Sequence, residues 1–351
     1  MRPTELSDHV SQWFDGSGPG ADIVISSRIR LARNVAGYEF CPCLTTARKS
    51  EVLQRLRETL LALDLGQELF FIDLNAASTL EQNLLVERHL ISRQHARAAG
   101  PRGAVIAHDE SFTAMINEED HLRIQVFQTG LQLAACWERI NRIDDLIEQH
   151  VEYAFDPEYG YLTACPTNVG TGIRVSVMLH LPGLKMTGQI EKLFNTARDT
   201  DLAVRGLFGE GTEAVGDFFQ LSNQVTLGPA EDQIVSNFTD MVVPKIVEYE
   251  TLAREKLLKT QPDKLDDKIQ RALALLRSAR LISSQEALFL LSHVRMGVHL
   301  RRIEGVSVAT LNELFMLTQP AHLQARQGKP LDPDHRDALR AQMIRSRLCQ
   351  N

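Results

Sequence analysis

The residues of this chain that can do chemistry gather in three short stretches. The fullest spans residues 165–182, Cys-Pro-Thr-Asn-Val-Gly-Thr-Gly-Ile-Arg-Val-Ser-Val-Met-Leu-His-Leu-Pro. Its first half is a loop of small residues, Thr167, Asn168, Gly170, Thr171 and Gly172, where the backbone can turn tightly and approach a ligand. Its second half alternates, with Ile173, Val175 and Val177 on one face of a strand and Arg174 and Ser176 on the other. An arginine at the root of a strand beside such a loop suits an anion site, although an ordinary strand with a solvated arginine reads the same way. The second stretch is Ser26-Ser27-Arg28-Ile29-Arg30. Alternation over 22–31 puts Arg28 and Arg30 side by side, where they repel each other unless an anion or local carboxylates lie between them. The third, Asn117-Glu118-Glu119-Asp120-His121-Leu122-Arg123, is by itself also readable as a solvated acidic turn.

Elements that could position these residues follow from the apolar spacing. Residues 46–65 read as an amphipathic helix with Leu53, Leu56, Leu60 and Leu63 on one face. A second helix, 79–94, carries Glu87 and His89. Strands at 104–108, 112–117 and 121–127 form an antiparallel meander, and 131–151 is a long helix. Residues 160–163 lead into the central loop, and a mobile turn is expected at 182–188. A helix at 190–200 and strands at 203–207 and 218–227 follow, the strands flanking a glycine-rich segment around Phe208, Gly209 and Glu210. Helices mixed with antiparallel strands make an α+β fold. After Ala230 the strand signal stops. Helical patterns run 231–258, 263–280, 284–301, 307–317 and 333–348, broken near Pro244, Pro262, Pro320 and Pro330. This divides the chain into a loosely held arm (1–21), an α+β domain (22–258) and a helical domain (259–351). The apolar faces of the last are core, with Leu273, Leu276, Leu288 and Leu291 numerous enough to invite a homodimer surface as well.

Composition narrows the classes. At 351 residues, 44% hydrophobic and 24% charged, the chain reads as an ordinary soluble globular protein of two domains. A formal charge of −7 argues against a general nucleic-acid binder. No apolar run approaches the roughly 20 residues that cross a bilayer, and residues 1–20 lack the apolar centre of a signal peptide. Five scattered cysteines suit reduced thiols in a cytoplasm. Cys41 and Cys43 have neither the spacing nor the partners of a zinc site. The phosphate loop Gly-x-x-x-x-Gly-Lys-Ser/Thr is absent, and His335-Arg336-Asp337 has Gln342 where a Ser/Thr kinase loop needs asparagine.

Together the three stretches resemble the catalytic domain of the guanidino-phosphotransferase (phosphagen kinase) family. That family carries an arginine pair in a short strand, an Asn-Glu-Glu-Asp-His-Leu-Arg segment and a Cys-Pro-Thr-Asn-x-Gly-Thr loop ending in arginine. The resemblance runs from about Asp22 to the C-terminus, and within the family it points to the bacterial protein-arginine kinase branch. It implies an antiparallel sheet flanked by helices, followed by an all-helical C-terminal domain. It also implies ATP, with Mg²⁺ held mainly through the nucleotide phosphates and no metal site of the protein's own. Phosphoryl transfer asks a protein chiefly for positioning and charge neutralisation, which Arg28, Arg30, Arg123, Arg174 and Arg205 can supply with fork-shaped donors. The implied nucleotide set is Ser26, Ser27, Arg28, Ile29, Arg30, His89, Arg123, Arg174, Val175, Ser176, Val177, Met178, Arg205, Gly206, Leu207, Phe208, Gly209 and Glu210. Two departures stand out. Phe208 replaces the family's usual second arginine, and Met178 sits where many members have a histidine near adenine.

The resemblance makes Glu119 the guanidinium-binding carboxylate, Glu210 the second one ahead of Glu213, and Cys165 the family's cysteine beside the guanidino site, acting electrostatically or as a redox sensor; a buried inert thiol reads equally well. A guanidinium with a pKa above about 12 is a poor nucleophile, so a carboxylate must orient it and take its proton. Small-guanidine kinases carry an N-terminal helical domain for which the position of Arg28 leaves no room, and a more open site would admit an arginine still attached to a protein. In the C-terminal region Arg336, Asp337, Arg340 and Ala341 match the branch's Arg-Asp-x-x-Arg-Ala phosphoarginine motif; Arg336 and Arg340 lie one helical turn apart, and activation by phosphoarginine is expected. The branch further implies protein substrates marked for quality control, a zinc-binding activator, a heat-shock repressor and a Clp-type unfoldase as partners, and a stress-response role. The rival readings are a kinase of a small free guanidine and a non-catalytic phosphoarginine-binding adaptor.

Overall fold

The computed structural model describes residues 3–206 and 216–349. In chain order its elements are β1 (Val24–Arg33), α1 (Thr46–Ala62), β2 (Leu69–Asp73), α2 (Thr79–Glu87), α3 (Arg93–Arg97), β3 (Gly103–Ala107), β4 (Phe112–Ile116), β5 (Leu122–Thr129) and α4 (Leu133–Glu148). There follow β6 (Phe155–Asp156), β7 (Gly160–Tyr161), β8 (Ile173–His180), α5 (Pro182–Met186), α6 (Ile190–Asp199), β9 (Leu202–Gly206) and β10 (Phe218–Asn223). Seven helices end the described chain: α7 (Glu231–Asn237), α8 (Val243–Thr260), α9 (Pro262–Ser278), α10 (Ser284–His299), α11 (Val308–Leu317), α12 (Pro320–Gln327) and α13 (Pro333–Leu348), with α7 running into α8 through a short π-turn.

Eight strands form one antiparallel sheet in the order β2-β3-β4-β5-β1-β8-β10-β9. The meander expected at β3–β5 is there, and β2, unassigned from sequence, extends its edge. One face of the sheet is a dry core. Ile29, Leu31, Ile124, Val126, Val175 and Val177 pack there against α1 and α4, whose Leu56, Leu60, Ile140 and Ile143 are also buried. Burying one such side chain contributes about 1.5–3 kcal/mol, which is what fixes the register: a slip of one residue would turn Arg28 and Arg30 into this core. The other face is covered at both ends: Phe127, Met178 and Phe218 meet Leu288, Leu291, Leu311 and Phe315 of the C-terminal helices, and Ala104, Ile106 and Met115 meet Leu6, Leu85, Leu90 and Ala96 of the N-terminal segment and the α2–α3 stretch. The rest of that face is the floor of a cleft.

Three local expectations change. The arm is not loose: Leu6, Ser11, Trp13 and Phe14 are buried, Trp13 stacking on Phe127 with ring centroids 5.1 Å apart. The turn at 182–188 is the buried helix α5, held by Glu250 of α8, whose carboxylate accepts the Gly183 and Leu184 amides at 2.9 Å. The single helix expected over 79–94 breaks into α2 and α3. Arg88 is drawn inward to Glu110 with Nε at 3.0 Å, Glu87 accepts the first amides of α12 (Ala321 at 2.8 Å, His322 at 3.1 Å), and Ser92 caps the new start. His89 between them takes the left-handed conformation, φ 60°. The C-terminal region also contains α12, unassigned from sequence, and no described helix is long and apolar enough to cross a membrane.

Candidate active site

Cross-strand register gathers the arginines. Arg28 and Arg30 share a face of β1 because side chains alternate. Arg174 of β8 lies directly opposite Arg30, and Arg123 of β5 opposite Ala32, two residues along that face. Arg205 of β9 is opposite Gln220, which is itself opposite Met178. Five arginines from four strands therefore point into one cleft of about 550 Å³, together with His89, Glu118, Glu119 and Cys165.

The arginines hold each other under strain. Burial, and then Arg123, Arg174 and Arg205, push Arg28 down to about 9. Burial and all four neighbours drive Arg30 well below the ordinary arginine value. A guanidinium keeps its proton at neutral pH, so these directions measure a repulsion that a polyanion would relieve. Among the described residues, Arg30 Nε and Nη2 are withdrawn from solvent without a hydrogen-bond partner. Orphaned buried donors aimed into a cleft fit a polyphosphate. Among the described residues no group of three or more His, Cys, Asp or Glu could hold a metal ion.

The acidic segment is not a solvated turn, and its members have separate tasks. Glu118 accepts from Ser92 Oγ and pairs with Arg123 at 2.8 Å. Burial opposes its ionisation, but Arg123, His95 and Ser92 outweigh burial and hold its carboxyl down to about 2. Because the folded value lies below the ordinary 4.5, its stabilising contribution is full above that value and is lost as pH falls towards 2. That contribution is roughly 3 kcal/mol. We expect Glu118→Gln to reduce the loss of stability between pH ~6 and ~3 by roughly 2 kcal/mol, read as the difference between urea titrations of the two proteins; equal losses would refute the assignment. Asp120 is buried and accepts from Asn34 and the Ala164 amide, both at 2.7 Å, which ties this segment to the Cys165 loop. His121 is framework: Nδ1 accepts from the Val35 amide at 3.0 Å and Nε2 lies 2.9 Å from Glu39 O. Glu119 carries none of these framework bonds and is half-buried at the cleft, where burial, then Asp120 and Glu118, raise its carboxyl despite Arg123 and a hydrogen bond with Cys165. Cys165 is half-exposed, with Sγ 3.0 Å from Thr167 Oγ1, and so is neither buried nor inert by burial.

The remaining expected nucleotide contacts divide by face. Ser26, Ser176 and Met178 line a narrow recess with Trp13, His89 and Phe127. Burial, then Arg28 and Arg93, push His89 down to about 3, so it is a neutral ring in the cleft, with Trp13 edge-on at 5.5 Å. Ile29, Val175 and Val177 point into the dry core on the other face, and Ser27 Oγ bonds Gly130 O and the Gln132 amide at the start of α4. Their side chains hold the sheet, and of these four residues Val177 also borders the recess. Gly206 ends β9; Leu207, Phe208, Gly209, Glu210 and Glu213 lie outside the described residues.

The C-terminal motif is not an open pair of guanidiniums. Arg340 is 1% exposed, donating to Thr318 O and Ile282 O at 2.8 Å and pairing with Asp337 at 2.5 Å. Arg336, half-buried, donates to Leu331 O at 2.7 Å, and Ala341 is core. Arg340 thus braces α13 against α10 and α11, because a helix face that buries Ala341 and Ile344 carries residue 340 inward as well. Sequence reasoning also missed Trp13, Arg93, Gln125 and Gln220, which line the cleft or its recess. The signal for Trp13 was an aromatic pair, Trp13-Phe14, in an otherwise polar segment.

Comparison with known proteins agrees with this geometry. Residues 51–253 match the family model of the ATP:guanido phosphotransferase C-terminal catalytic domain, and 262–351 that of the protein-arginine kinase McsB C-terminal domain. The chain is 44% identical over 346 residues to the protein-arginine kinase of Desulforamulus reducens, covering 98% of this chain and 97% of that one. It is 46% identical over 340 residues to that of Brevibacillus brevis, with 96% and 95% coverage. Among solved structures, lombricine kinase superposes with a TM-score of 0.59 at 28% identity, over 71% of this chain and 70% of that one. The duplicated taurocyamine kinase of Schistosoma mansoni, with bound transition-state-analogue components, gives 0.60 at 26% identity, over 73% of this chain and 39% of that one. Fold, cleft and full-length similarity coincide, and the chain belongs to the protein-arginine kinases of the ATP:guanido phosphotransferase family.

Proposed function

We propose that this chain transfers the γ-phosphoryl group of ATP to the guanidinium of arginine side chains in proteins. The observation that carries the reading is a half-buried carboxylate, Glu119, in the same cleft as five converging arginines. The arginines bind and orient the triphosphate, and Mg²⁺ arrives on its oxygens. Glu119 grips one edge of the acceptor guanidinium, which aligns a terminal nitrogen with the γ-phosphorus. That nitrogen forms the new N–P bond as the bond to the bridging β,γ-oxygen breaks. ADP leaves with the electron pair, and the displaced N–H proton passes to the Glu119 carboxylate and then to solvent.

Family similarity supports the wider reading that the modification marks proteins for quality control in a stress response in the cytoplasm, in a homodimer. It likewise supports activation by phosphoarginine on α13, with Arg336 and Asp337 as the more accessible members of the motif, and work alongside a zinc-binding activator, a heat-shock repressor and a Clp-type unfoldase. The chemistry is tested with ATP and two acceptors in parallel, free L-arginine and an unfolded arginine-containing protein. Acid-labile phosphate on protein arginines, located by mass spectrometry and absent with Glu119→Gln, is expected. Label on free arginine alone would make the chain a small-guanidine kinase, and binding of phosphoarginine without transfer to either acceptor would make it an adaptor.

A further inference from the structure

The loop that carries Cys165 has a second border. Cys165, Thr167 and Asn168 line the cleft, whereas Gly170 and Thr171 line an open groove of about 540 Å³ walled by the β6–β7 hairpin and residues 226–229. Three large apolar side chains stand exposed on this groove, Phe155 at 57%, Tyr159 at 49% and Leu227 at 53%. Scattered apolar residues on a surface need no explanation, but a contiguous set beside an active site does.

The groove is built rather than incidental. Thr226 Oγ1 donates to Val169 O at 2.7 Å and Thr167 O at 3.0 Å, and Thr226 O accepts the Thr171 amide at 3.0 Å. The Tyr161 amide donates to Gly170 O at 2.7 Å. Gly170, at φ 109°, packs so closely that a Cβ there would lie 2.3 Å from Thr226 O. The groove walls and the cleft loop are therefore one rigid unit.

Charge and reach identify the occupant. Asp144 is buried and paired with Arg33 at 2.7 Å, but between Arg142 and Arg174 the chain also carries Asp145, Glu148, Glu152, Asp156 and Glu158 and no lysine or arginine. Glu158 and Glu231 sit on the groove itself. The nucleotide end of the cleft is strongly positive and repels a basic polypeptide, whereas this rim attracts one. From Thr167 to Gly170 is three residues, at most ~11 Å of extended chain. An extended substrate with its arginine in the cleft would bring residues three or so positions away onto the groove.

We infer that this groove is the docking site for polypeptide flanking the acceptor arginine, and that it selects segments with apolar or aromatic and basic neighbours. The inference rests on the protein-acceptor reading and adds where the polypeptide lies. The test uses the full chain with Phe155, Tyr159 and Leu227 each changed to serine. Its acceptors are a peptide whose single arginine is flanked by aromatic and lysine residues, and N-acetyl-arginine amide. KM for the peptide should rise about 10-fold or more, with kcat, KM for ATP and turnover of the amide within about twofold of wild type. Glu158→Lys with Glu231→Lys should raise KM for the lysine-flanked peptide but not for a neutral-flanked one. Peptide kinetics unaffected by both variants would overturn the groove alone, and so would a serine variant that loses only self-association in sedimentation, since its occupant would then be a second copy. A wild-type chain that phosphorylates the amide but no peptide would overturn the protein-acceptor reading and the groove with it.

Discussion

Glu119→Gln is expected to lower turnover by about 10²–10⁴-fold, with KM for ATP near the wild-type value. Glutamine keeps the size and much of the hydrogen-bonding capacity of the side chain but cannot take a proton. Glu119 contributes little to the fold, being half-buried and free of the framework bonds that hold Glu118 and Asp120. Loss of stability therefore cannot explain a loss of rate, and the thermal midpoint should hold. The pH profile adds a second reading. Burial and two neighbouring acids raise the Glu119 carboxyl above the ordinary 4.5. Its active form is the carboxylate, so kcat/KM should fall as pH drops through that raised value, giving an acid limb above the usual glutamate range. Glu119→Gln should flatten that limb. Activity retained within tenfold would assign proton transfer to another group, and Glu118 is a poor candidate because Arg123 and Ser92 hold it ionised and engaged.

How much of this was legible in the sequence depends on the range of the interaction. Strand alternation is local, so the arginine faces of β1 and β8 were readable from residue order. Their convergence needed the register, which is a long-range fact, and only resemblance to a family supplied it beforehand. The break between α2 and α3 was not legible because its cause lies elsewhere in the chain. Arg88 leaves the helix for Glu110, and Glu87 is used to cap α12, more than 230 residues away. That break is what turns His89 towards the cleft. Burial of the N-terminal segment was hidden for the same reason, since Ser11, Trp13 and Phe14 pack against partners that no window of local sequence contains. Arg340 shows the limit of spacing arguments. Spacing one helical turn apart places two arginines on adjacent positions of a face but does not say whether that face meets solvent or protein, and here Thr318 and Ile282 meet it.

Arg30→Met should move stability and activity in opposite directions. In the free protein the Arg30 guanidinium is desolvated, lies among four other arginines, and leaves Nε and Nη2 without partners among the described residues. Each orphaned buried donor costs about 1–3 kcal/mol, and methionine fills much of the same volume without charge or donors. The variant is therefore expected to unfold at higher urea, by about 1–3 kcal/mol. With ATP the order reverses. Donors fixed where phosphate charge develops are strongest in the transition state, and removing one costs about 10²–10³-fold in turnover. Ligand binding stabilises in proportion to RT ln(1 + [L]/Kd), so ATP or inorganic tripolyphosphate should raise the melting temperature of the wild-type chain far more than that of the variant. A variant less stable than wild type without ligand would mean that Arg30 is a structural brace with partners of its own, and that the strain in this cleft is not held ready for a polyphosphate.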